Sequence, residues 1–145
     1  MGYLIIKNST IPNANEGAFA KRFIPMGQKI CMYSGKYVAS KNYVDLNSKE
    51  KDRCYFINGG YLVGKNIGSK INDTVIFQKY KKEDLKGFRK LKQVPHYKFL
   101  HYNCYIQQDG THLIIYALRD IEKGDELFID YGFYYWYHRL NELAD

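Results

Sequence analysis

The sequence predicts a mainly β fold with short helices, its small sheets wrapped around a single core, and three features predict it. Short apolar runs recur along the chain, each bounded by Gly, Pro, Asn or Asp, the pattern of strands broken by tight turns. Between the runs at 53–57 and 61–64 stands Asn58-Gly59-Gly60, a strong hairpin signal because Asn and Gly accept the positive φ of a two-residue turn. The stretch 114–136 reads as strand, turn, strand: apolar runs at 113–118 and 127–129 flank the polar turn 120–125, where Gly124 most easily reaches a positive φ. It ends in Asp130-Tyr131-Gly132 and four successive aromatics, Phe133, Tyr134, Tyr135 and Trp136, a density of rings that implies a pocket wall rather than a linker.

In chain order, residues 3–7 are of strand type and 8–16, rich in Asn, Ser and Pro, form a loop. Gly17-Ala18-Phe19-Ala20 resumes the apolar path. Pro25 fixes φ and Gly27 permits a reversal, so 24–28 is a turn and 29–33 a returning strand, broken by Ser34-Gly35 before 36–39. The polar stretch 40–52 fits a loop or a short helix. After the hairpin, 64–73 is small and turn-prone yet carries Ile67 and Ile71, as an anchored loop would. Residues 74–97 are a basic insertion holding Lys79, Lys81, Lys82, Lys86, Arg89, Lys90 and Lys92, and 82–91 can form a short basic helix. A solvated segment is the favoured reading there, with a nucleic-acid contact as the other. A strand at 99–107, the turn Asp109-Gly110 and a partner at 111–118 make a second hairpin, and 137–144 close the chain as a helix.

One domain over 1–145 accounts for the length, since a chain of 145 residues buries roughly two thirds of its unfolded surface without staples. Fifteen tyrosines supply hydroxyls on apolar bodies, suited to channels as well as cores. Cys31, Cys54 and Cys104 are scattered, with no CxxC spacing, which argues against a structural zinc site and for a reducing, intracellular compartment. No apolar run approaches a membrane span, and no membrane partner is expected. The net charge of +7 is uneven: 19 Lys+Arg against 7 Asp+Glu in 1–103 give +12, and 3 against 8 in 104–145 give −5. A basic surface suits a polyanion, or simply solvates the protein, and the acidic part suits a cationic peptide. His96, His101, His112 and His138 form no spacing pattern and read as incidental.

Four separated pieces each set Gly beside polar or aromatic residues: Asn15-Glu16-Gly17-Ala18-Phe19, Tyr33-Ser34-Gly35, Gly68-Ser69-Lys70-Ile71-Asn72-Asp73 and Asp130-Tyr131-Gly132 with its aromatic tail. Their type, order and spacing resemble the SET domain family of protein-lysine methyltransferases over nearly the whole chain, and ALRDIEKGDELFIDYG is the segment most similar to it. Asn15 stands where the family has the first glycine of Gly-x-Gly, Asn72 matches the knot segment, and Asp73 replaces its histidine. Ile-Asn-Asp, an insertion, then Tyr102-Asn103-Cys104 and the 131–136 ending resemble the small eukaryotic and viral members, and the cysteine-rich zinc-binding tail is absent.

The resemblance implies a SET-domain β-clip fold, small sheets around a pseudoknot, with S-adenosylmethionine on one face and the target lysine entering from the other. It makes Tyr131 the catalytic tyrosine and Tyr33, Phe133 and Tyr135 the substrate-channel walls. Glu16, Gly17 and Ala18 would hold the cofactor through backbone groups, and Asn72 through its amide near the adenine. Asp73 would join Asn72 in binding the cofactor, Trp136 would stack on the adenine, and aromatics of the closing segment 133–145 would shut the site without metal. The implied function is methylation of lysine in a basic protein, a histone tail, in a nuclear setting, with a homodimer completing the substrate groove as one arrangement. The alternative is a catalytically silent SET fold that binds chromatin or nucleic acid, favoured by Asp73 and the basic insertion. Retention of Tyr131 and Asn72 favours activity. A small basic β-rich nucleic-acid binder is a third reading, weakened because the stacking motif of such folds is missing.

Overall fold

The computed structural model describes residues 2–12, 14–97, 102–110 and 112–144. Eight strands among them form three small antiparallel sheets. Strands β1 (Leu4–Asn8) and β2 (Glu16–Ala20) make the first. Strands β3 (Lys29–Tyr33) and β4 (Gly35–Ala39) part at Ser34 into different sheets. Strands β5 (Cys54–Ile57) and β6 (Gly60–Gly64) complete one in the order β4-β6-β5, and β7 (Cys104–Asp109) and β8 (His112–Ala117) complete the other as β3-β8-β7. The β5–β6 turn is Asn58-Gly59 with φ of 50° and 75°, the two positive values that a type I′ hairpin needs. Gly60 already lies in β6.

The run 127–129 forms no regular strand, although its apolar pattern suggests one. Both edges of β8 are occupied, by β3 and β7. Residues 126–129 instead thread between distant elements through single bridges, Phe19 to Glu126, Asn72 to Phe128 and Cys104 to Ile129, the last two parallel. The Leu127 N–H donates to Ala18 at 2.8 Å and the Ile129 N–H to Asn72 at 2.9 Å. The 126–129 and 71–73 segments therefore run side by side. They lie in an aliphatic core in which Ile24, Ile71, Ile115 and Leu127 are fully buried. The mainly β architecture with short helices is the expected one.

The helices resolve one open stretch and correct two expectations. The open stretch 40–52 holds a 3-10 turn, Ser40–Asp45, and a short helix α1 (Ser48–Lys51), whose capping box pairs Asn47 with Glu50. The basic segment is more than a solvated insertion. Helix α2 (Lys82–Leu91) buries Leu85 with Val75, Tyr80 and Val94 against Trp136 and Leu140, forming a second, largely aromatic core. The closing helix α3 (Phe133–Leu143) starts four residues earlier than the polar pattern suggests, so Phe133 and Tyr137 fall one turn apart and stack at 5.6 Å. The expected strand 99–107 is β7 from Cys104 to Asp109. Residues 98–101 and 111 lie outside the described residues.

Candidate functional site

A cleft of about 390 Å³ opens where the two cores meet, lined among others by Asn15, Glu16, Arg53, Asn72, Asp73, Tyr131 and Trp136. Five of the residues singled out in the sequence, Glu16, Asn72, Asp73, Tyr131 and Trp136, therefore converge although they are up to 120 positions apart. Asn15 enters β2 with φ of 61°. Asn is among the non-glycine residues that best tolerate this left-handed region, so it can stand where the family pattern has glycine. Gly17 and Ala18 do not line the cleft. A Cβ on Gly17 would sit 2.3 Å from Glu126 Oε2, and Ala18 is buried in the aliphatic core, so both serve the packing beneath the site.

Glu126 organises that underside. Its carboxylate accepts Ser9 Oγ–H at 2.6 Å, and the Thr10 N–H and hydroxyl at 2.8 and 2.6 Å, fixing the loop before β2. Asn72 is tied to the same loop: its Nδ2 donates to the Glu16 carbonyl at 3.0 Å and to Ser9 Oγ at 3.2 Å. Any ligand contact from the Asn72 side chain therefore falls to Oδ1. The Glu16 carboxylate pairs with Lys70 at 3.1 Å.

Asp73 is the hub. Its buried carboxylate accepts the Thr74 N–H at 2.6 Å, the Tyr102 hydroxyl at 2.7 Å, the Tyr131 N–H at 2.8 Å and the Trp136 indole N–H at 2.7 Å. Burial pushes the Asp73 carboxyl above the usual carboxylate range, against the pull of these four donors. His96 is not incidental. Its Nδ1 lies 2.7 Å from Thr74 Oγ1, 3.3 Å from the Tyr102 hydroxyl and 3.9 Å from Asp73.

Tyr131 lines the cleft, and Tyr135 and Tyr33 lie behind it, bonded to the backbone of the cleft residues Asp52 and Arg53. The Tyr131 hydroxyl donates to the Ile71 carbonyl at 2.6 Å, its ring stacks on Trp136 at 5.9 Å, and Tyr135 meets it edge-on at 5.2 Å. The Tyr135 hydroxyl donates to the Asp52 carbonyl at 2.9 Å, and the Tyr33 hydroxyl to the Arg53 carbonyl. Burial pushes all three phenols well up, and Tyr33 adds to the rise at both Tyr131 and Tyr135. Phe133 does not join them. It lines a second cavity of about 430 Å³ with Thr74, Val94, His96 and Tyr102, which shares Trp136 with the cleft.

Sequence reasoning missed Arg53, whose buried Nε is the one buried side-chain nitrogen or oxygen without a hydrogen-bond partner among the described residues. A lone arginine before a hairpin gives no local signal. The role of Asp73 had one: a carboxylate in place of a neutral ring needs donors, and Tyr102 and Trp136 were both in the quoted motifs.

A family model described as SET domain matches residues 15–132. No curated protein matches the chain in sequence. Among solved structures, a candidate histone methyltransferase of Plasmodium falciparum superposes with a TM-score of 0.57 at 19% identity, covering 91% of this chain and 95% of that one. A humanised mutant of the Chaetomium thermophilum Polycomb Repressive Complex 2, bound to an inhibitor, gives a TM-score of 0.64 at 16% identity, covering 90% of this chain and 15% of that one. At these identities the likeness is one of fold.

Proposed function

The chain belongs to the SET domain family, and we propose that it is an S-adenosylmethionine-dependent methyltransferase acting on lysine in a basic protein, with a histone tail as the substrate class. The observation that carries this reading is Tyr131, whose hydroxyl is fixed on the Ile71 carbonyl where the cleft meets the tyrosine cluster. The residues present fit the cofactor. The cleft has the size of a small-molecule site. A carboxylate at the amino-acid end of a ligand would satisfy Arg53 Nε, a buried cation donor left open. Glu16 and Asn72 offer polar atoms beside it, and Trp136 the aromatic wall.

When bound, S-adenosylmethionine supplies an electrophilic methyl group on a sulfonium. A free lysine amine has a pKa of about 10.4 and must lose its proton before it can attack. The tyrosine cluster favours the neutral amine, because burial among apolar rings penalises the ammonium. The raised phenols of Tyr33, Tyr131 and Tyr135 stay protonated, so none of them acts as a phenolate base. The Tyr131 proton is committed to Ile71, which leaves the phenolic oxygen to accept an N–H from the incoming amine and to aim the nitrogen lone pair. Alignment of this kind can supply about 7–11 kcal/mol of a barrier.

The silent-module reading drew on Asp73, but the bonds that Asp73 accepts from the Tyr131 N–H and the Trp136 indole N–H support a positioning role for it in an active site. The test is transfer of a labelled methyl group to mixed histones. Label on lysine, with loss in Tyr131→Phe, is the expected result. A protein that binds the cofactor and labels nothing basic would overturn the enzymatic reading in favour of the binding module.

A further inference from the structure

We propose that the groove between α2 and α3 is a binding surface for the phosphate backbone of nucleic acid. This groove, of about 550 Å³, is lined by Lys82, Lys86, Arg89 and Lys90 from α2 and by Tyr137 and Asn141 from α3. The four cations are spaced i, i+4, i+7 and i+8, so they share one helical face over a rise of about 12 Å. All four side chains are exposed. Among the described residues none of them forms an ion pair, and the one acidic residue of α3, Glu142, is engaged by Lys51 at 3.4 Å and Arg139 at 3.7 Å. Glu83 and Asp84, the acids of α2, are not among the lining residues.

The surface is rigid as well as charged. Leu85 on the inner side of α2 is 1% exposed against Trp136 and Leu140, so the cations are presented by a packed helix rather than by a loose insertion. A row of unneutralised cations with an aromatic ring on the facing wall matches a polyanion that carries bases. An anionic bilayer would require apolar side chains projecting beside the cations, and Leu91 is the only large one exposed on α2. Because Trp136 and Leu140 belong to the same helix as Tyr137, nucleic acid in the groove would be held on the element that walls the proposed reaction site.

The test is fluorescence anisotropy of a short labelled single-stranded DNA over a range of salt concentrations, without cofactor or substrate. Wild type is expected to bind at low salt. A Lys86→Ala, Arg89→Ala, Lys90→Ala variant should lose about tenfold or more in affinity and should flatten the salt dependence by about 2–3 units of slope. Exposed Lys36→Ala, Lys41→Ala, Lys65→Ala, which removes the same charge elsewhere, should stay within about threefold of wild type. Equal loss in both variants would reduce the effect to net charge and overturn the proposal. So would no binding by wild type, or polyglutamate or anionic vesicles binding as tightly as the single-stranded DNA. Unchanged melting temperatures establish that both variants fold, and none of these readouts depends on methyl transfer.

Discussion

The two cores differ in kind. The first is aliphatic, built from sheet residues such as Ile24, Ile71, Ile115 and Leu127, and pairs residues from both halves of the chain. The second is mostly rings, Tyr80, Trp136, Phe77, Phe88 and Phe133, set around Leu85 and Leu140 and gathered from residues 75–94 and the last helix. Tyr131 packs against both, and Asp73 bonds Tyr131 and Trp136 across the boundary. The contrast teaches that the aliphatic core ties distant segments of the chain together, whereas the aromatic core supplies Trp136, the wall that two cavities share. The site lies at the seam, where a few polar atoms transmit the rigidity of one side to the other.

The sharpest way to separate chemistry from architecture is Tyr131→Phe. Methyl transfer should fall by about 10²-fold or more, with the cofactor dissociation constant nearly unchanged and the melting temperature lowered only by the loss of one hydrogen bond. If activity survives in a steady-state assay, Tyr131 is only packing. Breaking the seam is the next largest effect. Asp73→Ala strands four donors and should cost about 3–5 kcal/mol in denaturant unfolding. A loss under about 1 kcal/mol would mean that the two cores do not need the carboxylate.

Paired truncations compare the cores directly. Ile115→Ala and Leu85→Ala each remove a fully buried aliphatic side chain and should each cost about 2–5 kcal/mol. In native-state hydrogen exchange, Ile115→Ala should lower protection throughout, and Leu85→Ala chiefly in α2 and α3. Identical protection patterns would erase the distinction between the regions. The smallest effect is on pH. Because the native Asp73 carboxyl titrates above its unfolded range, the native state binds the extra proton, so its contribution is full at acid pH and is lost as pH rises through the raised native value. A stability profile of Asp73→Asn should lack that decline, and parallel profiles for the two proteins would contradict it.

Local chemistry made much of this legible. The Asn58-Gly59 turn and the strands beside it follow from turn residues and alternation, whereas the second hairpin turns one residue later than Asp109-Gly110, because Asp109 still pairs with His112 at the end of β7. The motif residues Asn72, Asp73, Tyr131 and Trp136 do meet in one cleft. What local pattern could not supply was long-range pairing. An apolar run such as 127–129 looks the same whether it pairs with the preceding strand or threads between Ala18, Asn72 and Cys104. The aromatic run 133–136 hid a helix start because rings outweigh the polar positions that mark a helical face. Phe133 accordingly lines a cavity while Tyr135, two residues on, donates its hydroxyl to the Asp52 carbonyl, which a reading of the run as one wall cannot separate. Arg53 became visible only when its Nε was found buried and open.

Trp136 is the single tryptophan of the chain and lines the cleft, so its emission reports on the proposed cofactor site without a label. Titration of the wild-type protein with S-adenosylmethionine, followed by tryptophan fluorescence, is the most direct test. The account predicts a saturable change in emission, shifted to at least about tenfold higher ligand concentration in Arg53→Ala. Emission that stays constant through millimolar cofactor would contradict a cofactor site at the seam between the two cores.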